Sequence, residues 1–135
     1  MNEPSHAHAM LLMEYFKLWD TPLDGEAWTF LRGCAEEGVL DDFERFKEAV
    51  PRASREWVLF DRVLCAYGQA ATLMRHDLMH PDLYFDLWPD PSRVWKRVEV
   101  VVRGIREEGD PRSYTGIEWL AARSEEWRAA QAAPG

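Results

Sequence analysis

Cysteine is scarce in this chain, with Cys34 and Cys65 the two among 135 residues. They form no CxxC pair and no repeated spacing, so they read as ordinary thiols of a cytosolic protein. They could pair only if the fold brought their Cα atoms within about 7 Å. Long apolar runs are also missing. The longest, Ala9 to Trp19, is broken by Glu14 and Lys17, and it falls far short of the roughly 20 apolar residues that a membrane span needs. No Gly-rich phosphate loop and no GxSxG string occurs, and no pattern calls for a cofactor. Glu3 stands where a secretion signal would be basic, and no Ala-x-Ala-like site closes the apolar stretch Ala9 to Trp19. A cytoplasmic location with no membrane span is expected.

Positive charge is scarce as well. The net charge is −8, and residues 1–50 hold 11 acids against 4 bases. Such a chain repels phosphate backbones, so nucleic acid is not an expected partner. The acidity serves solubility or, more sharply, provides a face for a basic partner.

What is abundant is apolar surface, at 47% of the residues. A chain of this size hides roughly two thirds of the surface it exposes when unfolded, so it needs no metal or disulfide to fold. The periodicity predicts helices throughout. The first runs from Ser5 to Trp19, with Leu12, Tyr15, Phe16 and Trp19 on one face and Thr21-Pro22 as its stop. A second opens near Asp24 as N-cap and carries Trp28, Phe30 and Leu31 to Cys34. A short one starts at Asp41 and turns Phe43, Phe46 and Val50 inward. Ser54 caps the longest, which ends near Arg75. One of its stripes holds Trp57, Phe60, Leu64, Tyr67, Ala71 and Met74, and a second holds Leu59, Val63, Ala66, Ala70 and Leu73. A helix apolar over most of its circumference belongs at the centre of a domain.

Residues 76–90 read as a connection with one helical turn at Asp82–Leu87. Asp90-Pro91 then reads as N-cap and first helical residue. The run Val98-Glu99-Val100-Val101-Val102 resembles a strand, but Val94, Trp95, Val98, Val101, Val102 and Ile105 gather within about 120° of a helical arc. Only Val100 departs from that face, and Arg93, Lys96, Arg97, Arg103 and Arg106 form a basic outer face. Gly109-Asp110-Pro111 ends this helix. A last one runs from Ser113 to Ala130 with Tyr114, Ile117, Leu120, Ala121 and Ser124 inward. The expected architecture is all-α: one compact bundle of five to seven helices over residues 1–130 around a long central helix, followed by a flexible tail at 131–135.

From Trp57 to Arg123 the order of elements resembles a known family. A long apolar helix is followed by Asp82-Leu83-Tyr84, then by a helix that contains Trp95 and ends at Arg106-Glu107. Pro111-Arg112-Ser113-Tyr114 leads into Glu118-Trp119-Leu120-Ala121. This order is similar to the uncharacterised bacterial helical family called domain of unknown function 4760. The resemblance implies an all-α fold and supplies no activity or catalytic residues.

Two strings could carry function. His76-Asp77-Leu78-Met79-His80 spaces two histidines at i, i+4, and Asp82 could add a carboxylate to a metal site. Pro81 disfavours helix at His80, however, and a histidine at a helix C-terminus suits the dipole. His6 and His8 read as solvated. The second string, Tyr84-Phe85-Asp86-Leu87-Trp88, is unusually apolar for a connection. Tyr84, Phe85, Leu87 and Trp88 are the candidate binding residues, with Asp82, Asp86 and Asp90 expected as an acidic rim. The leading reading is a non-enzymatic helical interaction or accessory protein that binds a protein partner or a second copy of itself. A metal-dependent enzyme using His76 and His80, and a small-ligand-binding bundle, remain open alternatives.

Overall fold

Most helices in this chain begin where a side chain can take up the free N–H groups of the first turn. Ser5 and His8, and then Thr21 and Asp24, bond reciprocally as capping boxes. Asp42, Ser54, His80 and Asp90 each accept a backbone N–H at the start of their helices. The computed structural model describes residues 3–133. Among them run α1 (His6–Trp19), α2 (Pro22–Glu36), a 3-10 turn (Val39–Asp41), α3 (Phe43–Ala49), α4 (Arg55–Arg75), α5 (Pro81–Leu87), α6 (Pro91–Glu108) and α7 (Thr115–Ala132). No strand occurs among the described residues, and the expected all-α bundle is what forms.

Several boundaries differ from expectation. Thr21-Pro22 opens α2 rather than stopping α1. Thr21 is the N-cap, Pro22 fills the first turn where no N–H is needed, and Asp24 completes the box from the third position. Helix α7 begins at Thr115, because Tyr114 takes a left-handed conformation at φ 57. That conformation is uncommon for a bulky side chain. Two ties hold it: the Tyr114 hydroxyl donates to Asp61 at 2.6 Å, and the Tyr114 carbonyl accepts from Arg106. The same helix continues to Ala132, into the segment expected as a tail. The last two residues of that segment lie outside the described residues.

Helix α4 is the centre. Its two stripes bury Leu59, Phe60, Val63, Leu64, Ala66, Tyr67, Ala70, Ala71 and Met74. It packs against α2 on one flank and α7 on another, and α7 leans in turn on α6. The α4–α7 crossing is close because glycines meet there. A Cβ built on Gly116 would stand 2.7 Å from the Gly68 Cα. On α6, Val94, Val98, Val101, Val102 and Ile105 are buried and Val100 is half exposed, as helical spacing requires.

One member of the basic face is misplaced by that spacing. Arg106 is largely buried, pairs with Glu118 at 2.8 Å and donates to the Ser113 carbonyl at 2.9 Å. Its long side chain reaches back over the α6–α7 connection and ties it down. Both cysteines are free, Cys34 buried and Cys65 exposed. No helix among the described residues is long and apolar enough to cross a membrane.

The glycine contact generates a test. Gly116→Ala should lower stability by about 1–3 kcal/mol, because backbone must move to admit the methyl group. Gly33→Ala, where nothing lies within 4 Å, should be neutral or raise stability by up to about 1 kcal/mol through helix propensity. Thermal melts of the two variants check this, and equal melting temperatures would contradict the close crossing.

Candidate functional site

A groove of about 570 Å³ opens where the end of α1, the face of α2, the α5–α6 connection and the start of α6 converge. Helix α1 supplies Phe16 and Trp19 at i, i+3, and α2 supplies Trp28 and Arg32 at i, i+4. The end of α5 supplies Leu87, the connection supplies Trp88 and Pro89, and α6 adds Arg93, Val94 and Arg97. Helical spacing thus aims each pair at one face.

Buried polar groups hold the floor in place. The Trp88 ring stacks on Phe16 at 5.5 Å and meets Tyr15 edge-on at 4.9 Å. The Tyr15 hydroxyl donates to the Ala66 carbonyl at 2.7 Å and lies 3.2 Å from the Tyr84 hydroxyl. The Tyr67 hydroxyl donates to the Pro89 carbonyl at 2.8 Å, which fastens the connection to α4. Burial pushes all three tyrosine hydroxyls up, so they stay protonated and keep donating.

Trp19 is fixed from the other side. The Arg62 guanidinium lies over its ring at 4.7 Å, and its indole N–H donates to Gln69. Arg62 is itself held by Asp24 at 2.5 Å and by the Leu18 carbonyl at 3.0 Å. Burial pushes the Asp24 carboxyl up, but bonds from Arg62 and Thr21 outweigh it and hold the group below its usual range. Asp90 shows the same balance. Burial raises it, while bonds from Ser124 and Ser92 and the Arg128 charge bring it down.

The candidate residues from the sequence divide. Leu87, 59% exposed, and the half-buried Trp88 belong to the groove. Tyr84 and Phe85 are buried and support the segment from beneath, because α5 is a true helix and turns them inward. Of the expected acidic rim, Asp90 lines the groove but caps α6, Asp82 accepts from the Trp127 indole at 2.8 Å, and Asp86 is exposed outside the groove lining.

His76 and His80 do not share a helix face. His76 closes α4, while His80 is buried as the N-cap of α5 and accepts the Asp82 N–H at 3.1 Å. Helix α4 ends at Arg75 and Pro81 begins the next helix directly after His80, so the i, i+4 spacing spans a break. Among the described residues no group of three or more His, Cys, Asp or Glu side chains could hold a metal ion. His8 is not simply solvated, since its ring nitrogens bond Ser5 and the Asp77 carbonyl. The Cys65 thiol is pushed up to about 11 by partial desolvation and by Asp61, which leaves it a poor nucleophile at neutral pH.

Sequence reasoning placed Phe16, Trp19 and Trp28 in the core and missed Arg32. The available signal was local: an aromatic with an arginine one turn on along α2, and two arginines one turn apart on α6.

Residues 26–124 match the family described as Domain of unknown function (DUF4760), and the chain belongs to that family. The match takes in Trp28, Arg32, Leu87, Trp88, Arg93 and Arg97, while Phe16 and Trp19 precede it. No curated protein and no solved structure matches the chain.

The Asp24–Arg62 pair sets a pH dependence. A carboxyl lowered by the fold contributes stability that is complete above its unfolded value of about 3.9 and is lost as pH falls toward the folded value. Acid should therefore destabilise the native chain from about pH 5 downward. The Asp24→Asn/Arg62→Gln double variant should be less stable at neutral pH and show a shallower acid decline. Denaturation midpoints measured across pH decide this, and parallel declines would contradict it.

Proposed function

We propose that this chain is a non-enzymatic interaction or accessory protein that docks a partner in the aromatic groove. The observation that carries the reading is the floor itself: Phe16, Trp19, Trp28 and Trp88, from three separate segments, line one opening. Tryptophan and arginine dominate the energetics of protein interfaces because they bury much area with few rotatable bonds. Rigid support from the tyrosine ties and from Arg62 lowers the ordering cost of binding.

Two of the nearby carboxylates support a binding role over a catalytic one. Asp24 and Asp90 spend their oxygens on Arg62, Thr21, Ser92 and Ser124, so neither is poised as a general acid or base. A small-ligand site is a second reading, favoured by a groove volume within the roughly 300–1,000 Å³ of such pockets. A cytoplasmic location belongs to the proposal and is supported by the two free thiols.

Trp88→Ala is a poor probe, because it also removes packing against Phe16, Tyr15 and Tyr84. Leu87→Ser is cleaner, and Val58→Ser, on exposed α4 surface away from the groove, serves as its control. Capture from native cell extract, read by mass spectrometry, should lose its specific partners with Leu87→Ser and keep them with Val58→Ser. Partners retained equally by both variants would overturn the groove as the docking surface. Retention of a single small molecule alone would favour the second reading.

A further inference from the structure

The arginines of this chain are almost all occupied, and the exceptions cluster. Seven form ion pairs with carboxylates. Arg52 and Arg75 stack over Trp57 and Trp119. Among the described residues four do neither: Arg32, Arg45, Arg93 and Arg97. Three of these four edge the groove. Two acids also line it, but the Asp90 carboxylate already pairs with Arg128 at 3.3 Å, which leaves Asp20 against three guanidinium groups. In a chain of net charge −8 with 24 acids, carboxylates to quench them are plentiful. Arg93 and Arg97 even stand at i, i+4 on one helix, a mutually repulsive spacing.

We infer that the groove takes an acidic protein segment with an aromatic or leucine anchor: the anchor sits on the tryptophan floor, and flanking carboxylates meet Arg32, Arg93 and Arg97. This rests on the groove being the docking surface. The chemistry follows from complementarity. Guanidinium groups bind carboxylates through parallel N–H donors, and the neighbouring apolar floor strengthens such bonds by excluding water. The spacing argues for a chain rather than one small acid. Arg93 and Arg97 lie about 6 Å apart along α6, close to the roughly 6.8 Å between alternate side chains of an extended segment. A nucleic acid has repeating charge too, but its continuous phosphates would run out over a surface of net negative charge.

The test is selection of a random peptide library displayed on phage against the full chain at physiological salt. Selected peptides should be rich in Asp and Glu around a Trp, Phe or Leu. A synthetic representative should lose at least about tenfold in affinity against Arg93→Glu/Arg97→Glu, and its binding should weaken with salt. That variant should fold normally, because both side chains are exposed and Glu at position 93 suits the first turn of α6. A circular dichroism melt checks this. Arg93→Gln/Arg97→Gln provides a milder step of the same sign.

Peptides of neutral or basic composition that ignore the charge reversal, yet lose binding on Leu87→Ser, would overturn the acidic partner and leave the groove standing. Peptides indifferent to all the variants would overturn both. Tighter, steeply salt-dependent binding of a single-stranded oligonucleotide, abolished by the same reversal, would also overturn the acidic protein segment as occupant.

Discussion

The Tyr67 hydroxyl, donating from the most buried helix to the Pro89 carbonyl, is the tie on which the groove depends. It takes a short connection that would otherwise move freely over the surface and fixes it to the core. The Tyr15 hydroxyl does the same for α1 by donating to the Ala66 carbonyl one residue earlier on α4. Trp88 is then held by Tyr15 edge-on and by the near-parallel rings of Phe16 and Tyr84, and it still lines the groove. Central helix, first helix and connection form one rigid unit because buried hydroxyls need partners and backbone carbonyls supply them.

On this frame the molecule separates its charges. Most guanidinium groups serve structure: Arg62 presses Trp19 against α4, and Arg106 clamps the α6–α7 connection. Among the described residues, Arg32, Arg93 and Arg97 around the groove form no ion pair and lie over no aromatic ring. Unpaired cations beside clustered aromatic rings, in an otherwise acidic protein, are what supports the proposed recognition role. The family match extends over Arg32, Arg93 and Arg97 but stops short of the α1 residues of the floor.

The helices were legible in the sequence because apolar spacing reports which face is buried, and the two stripes of α4 announced a central helix. The valine run of α6 was legible for the same reason, once Val100 was accepted as the outward residue. Thr21-Pro22 was not legible. A threonine before proline can end one helix or begin the next, and Asp24 in the box decides it only when its carboxylate is seen to turn back onto Thr21. Arg106 escaped because helical angle says where a side chain starts and not how far it reaches. Of the site, the connection Leu87–Trp88 could be found as an apolar stretch out of place. Phe16, Trp19 and Trp28 could not be told from core, since their exposure depends on how three helices meet. Tyr84 and Phe85 were read as surface because α5 was expected to hold a single turn, and a formed helix turns half of its side chains inward.

The seven tryptophans distribute themselves as built-in reporters of where a partner lands. Fluorine NMR of the fluorotryptophan-labelled chain in clarified extract of its native cell, compared with buffer, would read them together. The account predicts shifts or broadening at Trp19, Trp28 and Trp88, while Trp57, Trp95, Trp119 and Trp127 stay in place. Perturbation confined to the latter four, or none at any tryptophan, would contradict the groove as the surface through which this protein acts.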